Sequence, residues 1–500
     1  MNYISTRGYQ GPFTSAQAIL QGIAPDGGLF VPESIPQVSL EQIATLARMP
    51  YVDRAVEILS LYLTDYSAKE LRTFAEAAYH EDKFGEHPAP LVQLNKYNER
   101  EFMLELWHGP TAAFKDMALQ LLPHLMTVAI QKTGSTAKVC ILTATSGDTG
   151  KAALEGFAGV EGTTVVVFYP SKGVSETQRL QMVTTEGENC HVLAVEGSFD
   201  DAQSGVKAIF NDQALAAELA ERGIMLSSAN SINWGRLVPQ IVYYFSAYAD
   251  LLAREKVEPG VKINVVVPTG NFGNILAAWY ARSMGLPINK LICASNKNKV
   301  LSDFFRNGAY DRRREFFRTN TPSMDILISS NLERLLFEMT GRKAQTLVGW
   351  MEQLQQDGIY TVDAQTLRQL QEVFVGGFAE DAGTVRTIRD VYDRTDHLID
   401  THTAVGFNVY SRYAQRSGDT SSTVFVSTAS PFKFGPAVSD ALFGNGYSRG
   451  RSEETLLSEL AAESGLELPL SLKELDLKEV RHTGVIGRDT MRQTLLEILA

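Results

Sequence analysis

Short, unbroken runs of apolar and β-branched residues, spaced by segments of helix length, limit what this chain can fold into. They fall at Val139 to Thr145, Thr163 to Tyr169, Cys190 to Val195, Lys262 to Pro268 and Lys290 to Ser295, with a further run at Thr423 to Thr428. A strand with one wet face alternates apolar and polar residues. These runs do not alternate, so both of their faces are expected to be buried. Such strands belong to a mostly parallel sheet covered by helices, which makes the fold class α/β. Residues 1–90 read instead as an N-terminal, mainly helical domain, with helical periodicity at Leu40 to Met49, Tyr51 to Leu63 and Ala68 to Tyr79. Residues 91–430 form the α/β region, with a smaller subdomain over 135–225 and a helical, charged insertion over 304–361. In that insertion Arg312, Arg313 and Arg314 read as a solvated face. A last helical region is expected after Val373, and 431–500 reads as a helical tail rich in Glu and Leu.

In open parallel sheets ligands gather outside the carboxyl ends of the strands, so the strand-to-helix junctions are where chemistry is sought. One junction is Thr145-Ser146-Gly147-Asp148-Thr149-Gly150. Small hydroxyl residues and glycines at a helix start present N–H groups to a carboxylate or phosphate. An ordinary turn capped by Asp148 or Thr149 would use the same residues. A second junction is Pro268-Thr269-Gly270-Asn271-Phe272-Gly273-Asn274. Its glycines permit close backbone approach and the following helix favours a bound phosphate. It matches neither G-x-x-x-x-G-K-[ST] nor G-x-G-x-x-G, which counts against ATP and NAD. At the third, Ser427-Thr428-Ala429-Ser430-Pro431, a strand-end hydroxyl could reach a ring nitrogen or simply belong to a turn.

The stretch Trp107 to Gln120, WHGPTAAFKDMALQ, adds a nucleophile. A turn on Gly109 and Pro110 follows the strand-like run Phe102 to Leu106. From Phe114 on, apolar residues at Met117, Ala118, Leu121, Leu122, Leu125, Met126 and Ala129 predict one helix. Lys115 falls in its first turn, where the helix dipole disfavours a cation and favours the neutral amine. Such an amine can form a Schiff base with a carbonyl cofactor, pyridoxal phosphate being the commonest. Taken alone, the segment also fits a lysine that snorkels to water.

Charge and cysteine content narrow the partners. The 46 Lys+Arg against 58 Asp+Glu leave a net charge of -12, which argues against nucleic acid or an anionic membrane as the main partner. Cys140, Cys190 and Cys293 lie far apart, so neither a disulfide framework nor a cysteine zinc site is expected. His80, Glu81, Glu86 and His87 lack the H-E-x-x-H spacing, so no metal is assigned. With no apolar run of about 18 residues and no signal-like pattern in Met1 to Gln10, the expected compartment is the cytoplasm.

The segments HGPTAAFKD, TSGDTGKAAL, PTGNFGNI, SINWGR and STASPFKF, in this order, closely resemble the threonine synthases, in particular their longer branch with an N-terminal helical domain. The resemblance spans nearly the whole chain. It implies a pyridoxal 5'-phosphate enzyme with two doubly wound, mostly parallel sheet domains of the tryptophan synthase β-subunit type. The implied reaction converts O-phospho-L-homoserine and water to L-threonine and phosphate by γ-elimination and β-addition of water. By the same resemblance Lys115 would carry the cofactor, Gly270, Asn271, Phe272, Gly273 and Asn274 would bind its phosphate, and Thr428 would bond its ring nitrogen. Ser146, Gly147, Asp148 and Thr149 would meet the substrate carboxylate and the cofactor face, with Asp148 standing where many relatives of this fold carry Asn. The departing phosphate needs a second anion site, for which Lys172, Ser175, Gln178, Asn230, Ser231, Asn233 and Arg236 are the candidates. His108 could orient the lysine segment or be structural, and His402, in a stretch resembling DPHTAVG, could brace the site. Two other readings stay open: a dehydratase or phospho-lyase on O-phosphothreonine or O-phosphoserine, and a silent cofactor-binding homologue. The expected partner is a small molecule, with monomer and homodimer both open. The loops around Ser146 and Lys172 are expected to close toward Lys115.

Overall fold

The computed structural model describes residues 1–94, 99–172 and 174–500. Its strands in the first half are Tyr3–Ser5 (β1), Phe30–Pro32 (β2), Leu91–Gln93 (β3), Glu101–Glu105 (β4), Lys138–Ala144 (β5), Thr163–Pro170 (β6), Cys190–Glu196 (β7) and Ile224–Ser227 (β8). The second half adds Ile263–Pro268 (β9), Ile288–Ser295 (β10), Ala309–Asp311 (β11), Ile359–Thr361 (β12), Phe374–Phe378 (β13), Thr423–Ser427 (β14) and Val485–Gly487 (β15). A six-stranded sheet runs β13-β10-β9-β14-β4-β3 and is parallel except for β3. A five-stranded sheet runs β15-β7-β6-β5-β8 and is parallel throughout. The fold is α/β, with two mostly parallel sheets, as the unbroken runs require.

Burial explains why those runs do not alternate. In β5, Val139 and Ile141 enter one apolar core while Cys140, Leu142 and Ala144 enter another. Likewise in β6, Val165 and Val167 face the first core and Val166 and Phe168 the second. In β9, Val265 and Val267 share that first core, and Val266 faces a third. Each strand therefore has two dry faces, and each buried valine contributes about 1.5–3 kcal/mol. The first core also takes Ile19 and Leu59 from the first ninety residues, together with Leu122 and Tyr243.

Several elements differ from the sequence reading. The single helix expected from Phe114 is two, Asp116–Leu119 and Leu122–Lys132, with Pro123 in the first turn of the second. Proline has no N–H to continue the ladder from the first helix, so it starts a new one. Lys115 therefore precedes a helix of 4 residues. Directly after Val373 the chain first forms β13, because Phe374 stacks on Phe305 at 4.9 Å and continues the sheet beside β10, and the expected helical region follows it as Asp381–Thr395 and Thr401–Ser417. The insertion contains the antiparallel pair β11–β12, the N-terminal region the pair β1–β2, and the tail β15. These strands are mostly 3 residues long and pair with distant segments, leaving no local period to read. No helix among the described residues is long and apolar enough to cross a membrane.

Candidate active site

Lys115 is positioned by the meeting of β4 and β14. They are parallel neighbours with Glu105 opposite Ser427. Past their ends the chains stay joined: the N–H of Leu106 donates to the Ser427 carbonyl (3.0 Å) and that of Phe114 to the Thr428 carbonyl (2.9 Å). Between them Ala112 sits in the left-handed region at φ 56°, where a Cβ costs about 1–2 kcal/mol. Its carbonyl accepts from the Ser430 N–H at 3.0 Å. Asp116 ties the turn from the other side, accepting from Thr111 N–H at 2.8 Å and Thr111 Oγ1 at 2.7 Å. Burial pushes the Asp116 carboxyl up to about 6. Lys115 itself is 8% exposed. Burial lowers its pKa, against the pull of the Asp148 carboxylate, whose Oδ2 it meets at 3.0 Å.

Asp148 is the hub of the site. It opens the helix Asp148–Phe157 that follows β5. Its Oδ2 accepts from Lys115 and, at 3.1 Å, from Ser323 Oγ. Its Oδ1 pairs with Lys433 Nζ at 2.7 Å and accepts from Gln178 Nε2 at 2.9 Å. Burial alone would raise this carboxyl, but the two ammonium groups outweigh it and hold it well below the usual range. The helix is capped by Gly147, at φ 138°, and not by Asp148 or Thr149. The N–H groups of Gly147 and Gly150 are both taken by Thr145 Oγ1 at 2.9 Å.

The loop after β9 forms the opposite wall. Gly270, Asn271, Phe272, Gly273 and Asn274 all line a cavity of about 950 Å³ that also holds Lys115 and Asp148. Phe272 adopts φ 68° and packs near Phe305 and Phe374, aiming the loop backbone into the start of the helix Gly273–Ser283. A Cβ on Gly270 would lie 2.7 Å from the Ser323 carbonyl oxygen, so only glycine fits there. Asn274 accepts through Oδ1 from the Tyr243 hydroxyl (2.8 Å) and from Tyr244, while its buried Nδ2 has no partner. From the insertion, Ser329 Oγ donates to the Gly270 carbonyl at 2.7 Å and Asn331 Nδ2 to the Asn271 carbonyl at 3.1 Å.

Ser146, Thr149, Asn230, Ser231, Arg236 and Thr428 complete the lining foreseen from sequence. Arg236 is 4% exposed, donates from Nη1 to the Ala229 carbonyl at 2.6 Å, and has no carboxylate partner among the described residues. Burial brings its guanidinium down to about 10. His402 also reaches the cavity: its Nε2 accepts from the Ser323 N–H at 3.3 Å and its Nδ1 faces Asp400 Oδ1 at 3.0 Å. Other expected residues are placed elsewhere. Lys172 is exposed and outside the cavity lining, and its neighbour Gly173 lies outside the described residues. Asn233 is fully buried as a cap: it accepts from the Gly235 N–H at 2.9 Å and donates to the Ile19 and Ser228 carbonyls. Gly147 presses on the Gln178 amide, where a Cβ would come within 2.5 Å, and is not part of the lining. Ser175 caps the helix Glu176–Val183, and Gln178 serves Asp148. His108 meets Glu105 at 2.7 Å and stacks on Trp107 at 4.3 Å. Of the three arginines, Arg313 is exposed and pairs with Asp311, Arg314 pairs with Asp303, and Arg312 lines the cavity. No cluster of metal-ligating side chains occurs among the described residues. Ser323 and Lys433 were not foreseen. The signal for Lys433 lay in the segment STASPFKF, where it is a lone cation between Phe432 and Phe434.

Three stretches of the chain match known families: residues 2–79 the threonine synthase N terminus, 83–361 the pyridoxal-phosphate dependent enzymes, and 403–486 the threonine synthase C-terminal region. The threonine synthase of Pseudomonas aeruginosa is 40% identical over 448 residues, covering 89% of this chain and 91% of that protein. The chain belongs to the threonine synthase family. A crystal structure of pyridoxal-phosphate-bound threonine synthase from Brucella melitensis superposes with a TM-score of 0.86 at 36% identity, covering 100% of this chain and 99% of that one. The yeast threonine synthase structure gives 0.88 at 33%, covering 100% and 98%. The chain spans 58% of the length of human threonine synthase-like 1, to which it is 40% identical over 437 residues, 85% of this chain. Pyridoxal phosphate suits the cavity of this threonine synthase family member. A buried amine stands ready for its aldehyde, and the helix start at Gly273 with the unpartnered Asn274 Nδ2 can take its phosphate. The loop Gly270 to Asn274 lines the cavity, pressed at Gly270 against the Ser323 backbone, and Thr428 lines the same cavity.

Proposed function

We propose that the protein is a threonine synthase that converts O-phospho-L-homoserine and water to L-threonine and phosphate, with Lys115 as the catalytic residue. The observation that carries this reading is the joint presence, in one cavity, of a buried lysine amine, a phosphate-type loop and a buried arginine with no carboxylate partner among the described residues. Pyridoxal phosphate, held by Lys115, by the loop Gly270 to Asn274 and by Thr428, supplies an electron sink conjugated to the substrate α carbon. Thr428 is a neutral partner for the ring nitrogen, so selectivity must come from positioning. With substrate bound, the neutral Nζ of Lys115 takes the Cα proton, hands it on to the conjugated system and, neutral again, takes a Cβ proton, a role that its buried setting favours. Asp148 Oδ2, which accepts from Lys115 Nζ at 3.0 Å, steadies it whenever it is an ammonium. Phosphate leaves from Cγ, and Arg236 supports both its binding and its departure, since a desolvated guanidinium favours a dianion. Ser146 and Thr149 take the substrate carboxylate in this reading, which their position in the cavity lining near the start of the helix after β5 supports. The terminal Cγ then takes up a proton, water adds at Cβ with its proton passing to the released phosphate, and the α carbon is reprotonated, the protons on Cγ and Cα coming from Lys115 Nζ.

Three separate buried thiols and the acidic net charge support a reducing, cytoplasmic setting. The test is direct. The chain with pyridoxal phosphate and O-phospho-L-homoserine should release threonine and phosphate in equal amounts, and Lys115→Ala should abolish both. Phosphate accompanied by a 2-oxo acid and ammonia would move the protein to the lyases. Cofactor bound at Lys115 with no turnover would overturn the reading.

A further inference from the structure

Beyond the reaction itself, we propose that Lys433 is a positioning residue that shares the Asp148 carboxylate with Lys115 and so keeps Lys115 available as a neutral amine. The inference rests on Lys115 as the nucleophile of this site. Lys433 lies in the turn after β14, on the segment Pro431–Phe434, with its side chain 0% exposed. Its ammonium has two partners: the Thr111 carbonyl at 3.0 Å and Asp148 Oδ1 at 2.7 Å. The second oxygen of the same carboxylate, Oδ2, meets Lys115 Nζ at 3.0 Å. One buried anion thus stands between two buried amines, and it has further donors in Gln178 and Ser323. Other titratable groups near it among the described residues are Arg236 and His402 on the cavity wall, His402 being joined to Asp148 through Ser323, and Asp116, which accepts from Thr111.

A carboxylate in a dry site can neutralise one cation fully and two only in part. Lys433 is the tighter of the two, at 2.7 Å against 3.0 Å, and takes the greater share of Asp148. Lys115, with an open cavity beside it, is the partner that gives up its proton. The same arrangement acts through space: a second ammonium a few ångströms beyond the shared carboxylate disfavours charge on Lys115. Lys433 also anchors geometry. By bonding the Thr111 carbonyl it ties the turn that carries Lys115 to the strand end that carries Thr428.

The test reads Lys115 in the full-length chain freed of cofactor. Trace labelling with acetic anhydride across pH, followed by mass analysis of the Lys115 peptide, gives the midpoint at which its amine loses its proton. In Lys433→Met the midpoint should rise by one unit or more, since both the repulsion and the competition for Asp148 are removed. Below the midpoint, labelling then slows at least tenfold. Lys433→Gln, which keeps a donor for Asp148 without the charge, should behave as Lys433→Met. Asp148→Asn reads the same coupling in reverse and does not depend on either variant folding: its midpoint should fall and its labelling quicken. A lower melting temperature with an unchanged Lys115 midpoint, in any variant that folds, would show Lys433 to be a structural staple only and overturn the proposal. The labelling needs no substrate, so a chain that makes no threonine would refute the proposed reaction and leave this inference standing.

Discussion

At Arg236 a guanidinium is held 4% exposed with a backbone carbonyl for company and no carboxylate among the described residues. A desolvated cation of this kind binds a phosphate strongly, and its loss should be felt mainly with the phosphorylated substrate. Arg236→Gln is expected to lower kcat/KM for O-phosphohomoserine by about 10²–10³, or roughly 3–4 kcal/mol. Steady-state assays should show the loss without a matching fall in cofactor affinity. Asp116 gives a pH prediction. Its carboxyl is raised in the fold from 3.8 to about 6, so between these values the native state holds a proton that the unfolded chain releases. Stability therefore falls as pH rises through that window, by about 3 kcal/mol once both states are ionised. Denaturant titrations of Asp116→Asn between pH 4 and 7 should lose this slope. Lys115 and the loop Gly270 to Asn274 were legible from sequence because their residues are contiguous and their types are costly to misplace. Lys433 was not, because its partner Asp148 is far away in the chain and only folding shows that Lys433 shares that carboxylate with Lys115.

Among the elements, the helix Trp234–Ala253 shows how one residue can be misread when a structural duty and a chemical one call for the same side chain. Asn233 was expected to meet substrate, yet it caps this helix and donates to Ile19 and Ser228. Asn233→Ala removes the cap and leaves buried carbonyls unpaired, at a cost of about 2–3 kcal/mol. Urea titration should detect that loss, while KM for substrate stays within about twofold of the parent, an outcome opposite to Arg236→Gln. The long parallel strands were legible because both faces are dry, whereas β11, β12 and β15 have 3 residues each and exist only through their partners. Pro123 was visible in the sequence, but apolar spacing continues across it. Periodicity reports which face is buried and not whether the backbone is continuous.

For the whole molecule, the carboxyl ends of both sheets open on one cavity, and the insertion crosses it through Ser323, Ser329 and Asn331. A ligand seated there touches both sheets' strand ends and the insertion, so it should stabilise them together. Pyridoxal phosphate at a hundred times its Kd is expected to add about 2.7 kcal/mol, seen as a rise in Tm in scanning calorimetry. Gly270→Ala, which must displace the Ser323 backbone, should abolish most of that rise. The five-stranded sheet carries a further consequence in β15. Its hydrogen bonds close the open edge of β7, yet β7 ends at Glu196 and β15 begins only at Val485. On a ribosome, β7 emerges long before its cover. Throughout the interval a parallel edge stands bare, able to recruit the same edge of a neighbouring nascent chain. Polysome-bound or truncated products stopping short of Val485 would then be the sticky species, and the last strand to be made acts as the seal against self-association.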